Sequence, residues 1–340
     1  MVFIDACHKK PVKHTPIWMM RQAGRYLPEY RATRAKAKNF IEFFKSPELA
    51  CEATLQPIDL LGVDAAILFS DILPVPLEMG LDLEFIPGTG PVIHNPVRSE
   101  ADLGRLGDDA PDRLTYVYDA VKIIRRALPA DKALIGFAGS PWTLATYMVE
   151  GSGSKNYAII KKLLYTQPQV MHALLEKNTQ AVTEYLLRQI EAGADAVQIF
   201  DSWGGALEQS MFFEFSWSYM LRIAQAIRAK YPDTPIILFS KGVGSYLEQI
   251  EGDFDVFGVD WCTPIARAKE ILHPRYTLQG NMEPMRLYDR DRTREGVEEI
   301  FSVMGKADGF IFNLGHGMVP DLSPDNAKYV VELVHEISAR

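Results

Sequence analysis

Eight short apolar runs punctuate the chain, most of them separated by stretches with helical spacing. They are Pro16–Met20 (PIWMM), Ala65–Asp71 (AAILFSD), Ala133–Gly139 (ALIGFAG), Ala196–Ser202 (AVQIFDS), Pro235–Lys241 (PIILFSK), Val256–Trp261 (VFGVDW), Thr277–Met282 (TLQGNM) and Phe310–Gly317 (FIFNLGHG). Near-continuous apolar runs suit strands covered on both faces, as in a parallel sheet. Between them, PQVMHALLEKNTQAVTEYLLRQIEAG has helical periodicity and stops at Gly193, an expected C-cap. REGVEEIFSVMGK and SPDNAKYVVELVHEIS read the same way, the second with Ser323 as expected N-cap before Pro324. The aromatic stretch MFFEFSWSYM (Met211–Met220) reads as a helix packed on the sheet. Eight strands alternating with helices predict one (β/α)8 TIM-barrel domain over residues 1–340, with a doubly wound open sheet as the competing architecture. LDLEFIPGTGPVIHNPV breaks the rhythm and predicts a hairpin inserted after the second strand.

The ends of these runs are more polar than their starts. The first runs into Arg21 and Arg25, the second ends in Ser70-Asp71, the third leads into GSPWTLATYMVEG, the fourth ends in Asp201-Ser202, and the eighth carries His316 between two glycines. A barrel places its chemistry at the C-terminal ends of its strands, so this asymmetry points to a site there. Arginine forks suit carboxylate or phosphate, and a spacing of four aligns Arg21 with Arg25 if the segment is one helical turn. Gly24 between them is expected to let the backbone approach a ligand. Asp71, following an apolar run, is expected to be partly desolvated and in need of N–H donors or positive charge. Each residue also has an ordinary reading. The arginines suit a solvated surface, Asp71 a turn cap, Tyr147 the core, and Ser202 a helix N-cap; a lone His is more often structural. Arg31, Arg34, Lys36 and Lys38 read as a solvated face.

Composition narrows the classes. The 340 residues carry a formal charge of −8 and are 47% hydrophobic. That balance argues against a general nucleic-acid or anionic-membrane binder, so any anion site must be local. Cys7, Cys51 and Cys262 are widely spaced and form no zinc-ligand pattern with histidine, so neither a disulfide framework nor a metal site is expected. A cytoplasmic setting follows as the default, with no secretory leader and no membrane-spanning run. EGSGSK lacks phosphate-loop spacing, AGSPW is no esterase elbow, and no G-x-G-x-x-G follows a strand.

PIWMMRQAGRYLPEYR and GFAGSPWTLATYMVEGSGSK together resemble the two long signatures of the uroporphyrinogen decarboxylase family. FSDIL, FDSWGG and NLGHG are similar to three further family segments in the same order, so the resemblance covers the chain from about Thr15 onward; only MVFIDACHKKPVKH departs from it. The resemblance implies a cofactor-free enzyme of haem biosynthesis that removes four acetate carboxyl groups from uroporphyrinogen III to give coproporphyrinogen III. It also implies a homodimer and a (β/α)8 barrel. By position it makes Arg21, Arg25, Asp71, Tyr147, Ser202 and His316 substrate-binding, with Asp71, Arg21 and Tyr147 catalytic. Two alternatives stay open: a corrinoid-linked methyltransferase, which needs zinc held by His and Cys, and a non-catalytic tetrapyrrole-binding protein.

Overall fold

A computed structural model describes all 340 residues. Nine strands form: β1 Ala65–Ile67, β2 Leu83–Ile86, β3 Gly90–Ile93, β4 Ala133–Gly139, β5 Ala196–Asp201, β6 Ile236–Ser240, β7 Val256–Gly258, β8 Thr277–Met282 and β9 Phe310–Leu314. Seven of them build one parallel sheet in the order β1-β4-β5-β6-β7-β8-β9, and β2 pairs with β3 as a separate antiparallel hairpin. The hairpin sits where the Pro-Gly-Thr-Gly-Pro centre places it.

The sheet corrects the expected closed (β/α)8 barrel. It is an open, curved seven-stranded sheet, half a barrel in form, with its gap between β1 and β9. The missing member is Pro16–Met20, which contributes a single bridge, Ile17 to Phe312. Side chains take the N–H groups a ladder would need. Ile17 N–H donates to Asp64 Oδ2, Met19 N–H to Gln22 Oε1 and Met20 N–H to Asn313 Oδ1. Only Trp18 N–H reaches a strand carbonyl, that of Phe312, at 3.4 Å. A run whose donors are consumed this way stays extended without becoming a strand. The doubly wound alternative fails too, because the strand order follows chain order without reversal.

The interior follows from strand alternation. Ala65, Ile135, Ala196, Ile237, Val256 and Ile311 point to the concave side, where Trp18 and Met20 join them. Leu134, Val197, Leu238, Phe257 and Phe310 point outward into the larger core. The helix Pro168–Ala192 covers part of that face and ends at Gly193, with φ of 122°. Helices Arg290–Met304 and Pro324–Ser338 form as the pattern predicts, but Ser323 makes no capping hydrogen bond. The 211–220 stretch packs inward, burying Phe212, Phe215, Trp217, Tyr219 and Met220.

Candidate active site

The carboxyl ends of the strands carry a polar floor before any ligand-facing group is reached. Asp201, at the end of β5, is fully buried. Its Oδ1 accepts from Ser140 Oγ (2.7 Å) and Thr143 Oγ1 (3.1 Å), and its Oδ2 from Ser240 Oγ (3.0 Å). One carboxylate thereby ties the ends of β4, β5 and β6 together. Burial pushes its pKa up and the hydroxyl donors pull it back. After β7, Asp260 braces its own loop and the turn after β6, accepting from Cys262 N–H (2.9 Å), Thr263 N–H (3.0 Å) and Gly242 N–H. These acids are occupied by the scaffold.

Above that floor the six expected residues divide. Arg21 lies in a turn, not on a helix, and its φ of 63° is a left-handed value that a side chain adopts only under constraint. The helix starts at Pro28, so the expected helical alignment of Arg21 with Arg25 does not occur. Gly24 has no left-handed φ; a Cβ there would meet the Arg21 carbonyl oxygen at 3.0 Å, so the residue serves turn packing. Neither Arg21 nor Arg25 is among the side chains paired with a carboxylate or hydrogen-bonded within the protein, whereas Arg31, expected to be merely solvated, donates to the Arg25 and Tyr26 carbonyls at 2.6 and 3.2 Å.

Arg21 lies within electrostatic reach of Asp71, Tyr147 and His316. Asp71 follows β1 and is half-buried, with Oδ1 accepting from Leu73 N–H at 2.9 Å. Burial raises its pKa; the Leu73 N–H, the Arg21 charge and the Ile72 N–H oppose the rise. Tyr147, on the helix Pro141–Glu150, has its phenol pushed up by burial, drawn down by the Trp203 side chain, pushed up by Asp71 and drawn down by Arg21. Its hydroxyl therefore keeps its proton at neutral pH. His316 is pushed down to about 3 by burial, then by the charges of Arg21 and Lys241, so its imidazole is neutral. Arg25 is exposed, and its charge, like that of Asp71, acts on the Tyr30 phenol. Ser202 is half-buried in the turn after β5, caps no helix, and its hydroxyl has no protein partner.

The glycines flanking His316 have a different purpose from the room around the ring that the sequence suggests. A Cβ at Gly315 would fall on the Trp261 backbone, and one at Gly317 would fall inside the Arg21 side chain. Gly317 is thus the bed on which the Arg21 stem lies. Sequence reasoning missed Lys241, at the end of β6. Its only available signal was a charge closing an apolar run.

One group has metal-ligating residue types: His14, Asp64 and His335. It lies at the start of β1, at the opposite end of the sheet from these groups. Asp64 accepts there from His335 Nε2 (2.7 Å), Ile17 N–H (2.9 Å) and His14 Nε2 (3.2 Å), with Lys132 Nζ at 3.5 Å. These donors and a neighbouring ammonium already satisfy the carboxylate. None of Cys7, Cys51 and Cys262 belongs to that group. No helix is long and apolar enough to cross a membrane.

The model of the family described as Uroporphyrinogen decarboxylase (URO-D) matches residues 2–337. A uroporphyrinogen decarboxylase of Nitratiruptor sp. is 63% identical over the full length of both chains. One of Wolinella succinogenes is 58% identical, again over both full lengths. Among solved structures, a methyltransferase from Methanosarcina mazei matches with a TM-score of 0.79 at 21% identity, covering 98% of this chain and 97% of that one. A likeness at that identity shows a shared fold alone.

Proposed function

The chain belongs to the uroporphyrinogen decarboxylase family, and from that premise we propose that Asp71, Arg21 and Tyr147 carry the reaction, with Arg25, Ser202 and His316 holding the substrate. The enzyme is a carboxy-lyase of porphyrin biosynthesis. It converts uroporphyrinogen III to coproporphyrinogen III, with release of CO2 from the acetate side chains. The observation that carries the assignment of roles is electrostatic. The half-buried Asp71 lies within electrostatic reach of Arg21, a guanidinium that forms no ion pair in the protein, at the polar ends of the strands.

The substrate offers eight carboxylates and four inward-facing pyrrole N–H groups. Arg21 and Arg25 bind carboxylates. Asp71 accepts the pyrrole N–H bonds, which its desolvation makes favourable. Protonation of the ring carbon next to an acetate arm makes the pyrrole a cation. The C–CO2 bond then breaks, its electron pair neutralises that cation, and CO2 leaves. A proton on the new exocyclic carbon gives the methyl group as the ring carbon returns its own, so each cycle consumes one proton. Asp71 stabilises the cationic state, and such preorganised charge is worth about 3–4 kcal/mol. The electron sink lies in the substrate, so the proposal uses no cofactor. Arg21 holds the departing carboxylate; a guanidinium gives up its proton too reluctantly to be the donor, so a water or substrate carboxyl held by it delivers the proton. Neutral His316, Tyr147 and Ser202 offer hydrogen bonds without adding charge. A cytoplasmic homodimer is part of the same proposal, resting on family membership.

The test is an anaerobic assay of CO2 release from uroporphyrinogen III. Asp71→Asn should lower kcat by about 10²–10³ while circular dichroism stays unchanged. Turnover near the wild-type rate in that variant would rule out Asp71 as the group that stabilises the pyrrole cation.

A further inference from the structure

We propose that Lys241, held between Trp203 and Trp261, is a third carboxylate-binding cation of the site; the inference rests on the proposed substrate being a tetrapyrrole polycarboxylate. Its backbone is fixed on two sides. Lys241 N–H donates to the Asp201 carbonyl at 3.1 Å, and its own carbonyl accepts from Gly205 N–H at 2.8 Å. The turn after β6 lies directly on the turn after β5. A Cβ on Gly205 would meet Gly242 Cα at 2.7 Å, and Gly242 has a left-handed φ of 80°. That backbone contact, open only to glycine, sets Trp203 against the lysine stem.

The side chain is held but not neutralised. Its Nζ lies 5.6 Å from the Trp203 ring centre and 4.9 Å from that of Trp261. Indole faces attract an ammonium while leaving its three N–H donors without acceptors. The acids nearest in the chain are engaged elsewhere: Asp201 with Ser140, Thr143 and Ser240, and Asp260 with Gly242, Cys262 and Thr263. No ion pair involves Lys241, whereas Lys177, for one, pairs with Asp108 at 2.6 Å. A half-buried ammonium with two aromatic walls and free donors is short of an anion.

Its position identifies the anion. Lys241 packs on Trp261, which neighbours His316, and the Arg21 stem lies on Gly317 next to that histidine, so both cations are close enough to depress its pKa. Trp203 also neighbours Tyr147, with ring centres 6.5 Å apart, and Trp261 neighbours His316 at 6.0 Å. The indole cage therefore joins the two walls of the site. A substrate with eight carboxylates leaves most of them unmatched by two arginines. An ammonium is a point charge with rotatable donors, whereas a guanidinium demands a planar fork. Lys241 thus suits carboxylates presented at differing angles as successive arms are brought to Asp71, and its contribution is to substrate binding.

The experiment uses the full-length enzyme with Lys241→Met, which keeps the stem, and Lys241→Arg, which keeps the charge. Lys241→Met should raise KM for uroporphyrinogen III about tenfold, with the loss in KM and not in kcat, and should flatten the salt dependence of KM. Lys241→Arg should recover most of the affinity. Binding of coproporphyrinogen III, followed by indole fluorescence, should weaken in parallel in the Met variant. A KM and a binding constant within twofold of wild type would overturn the proposal. So would an equal loss in the Met and Arg variants, which marks the lysine as packing between two indoles. Wild-type protein that bound the tetrapyrrole without releasing CO2 would strike the decarboxylation roles instead, and the fluorescence titration would still decide on Lys241.

Discussion

Replacing His316 by asparagine removes a base that the folded chain refuses to protonate. Burial, Arg21 and Lys241 hold its folded pKa at about 3, against about 6.5 in an unfolded chain. A depressed base contributes nothing adverse above its unfolded pKa. Its cost appears as pH falls below about 6.5 and grows until about 3, because only the unfolded chain takes up the proton. At pH 5 the unfolded state gains RT ln[(1 + 10^1.5)/(1 + 10^−2)], about 2 kcal/mol, against about 0.2 kcal/mol at pH 7. Urea unfolding at pH 7 and pH 5 measures it. Wild type should lose about 2 kcal/mol more than His316→Asn across that interval. Equal losses in the two proteins would show that His316 is solvated in the folded state, and would remove the argument that it serves the substrate as a neutral group.

Three further outcomes are expected. Arg25→Ala should raise KM most for uroporphyrinogen III and least for the intermediate with the fewest carboxylates; a uniform rise across the series would count against a carboxylate clamp. Gly317→Ala should displace the Arg21 stem and cut kcat/KM by about 10² with normal circular dichroism, whereas Gly315→Ala meets the Trp261 backbone and should lower the melting temperature; wild-type kcat/KM in Gly317→Ala would show that Arg21 needs no such bed. Asp64→Asn breaks a buried hub and should destabilise by about 3–5 kcal/mol in urea. Burial raises the Asp64 pKa, but His14, His335 and the Ile17 N–H outweigh it and leave it depressed, so its contribution is intact above about pH 4 and lost as pH falls further; a wild-type chain whose acid unfolding matches that of the variant would contradict this.

The elements and their polarity can be read from the order of residues alone. Seven of eight apolar runs are strands because a strand buried on both faces must be apolar throughout, and that is a local property. The hairpin is equally local, set by its turn residues. The end of each strand that carries the candidate residues follows from where the polar residues fall in each run. Closure of the sheet was not legible. Pro16–Met20 has the composition of a strand, yet Asp64, Gln22 and Asn313 take its donors, and two of those residues are remote in the chain. Competition between side chain and backbone for one N–H is settled only when distant segments meet. The site divides along the same line. Asp71 and His316 stood out because an acid or a histidine ending an apolar run is locally anomalous. The purpose of Gly317, the left-handed turn at Arg21 and the aromatic cage around Lys241 depend on residues up to hundreds of positions away. Charge is read from the sequence, but whether a charge is already neutralised is decided by what the fold places beside it. Asp201 and Asp71 both close apolar runs; only the fold gives the first three hydroxyl donors and the second a backbone N–H, that of Leu73.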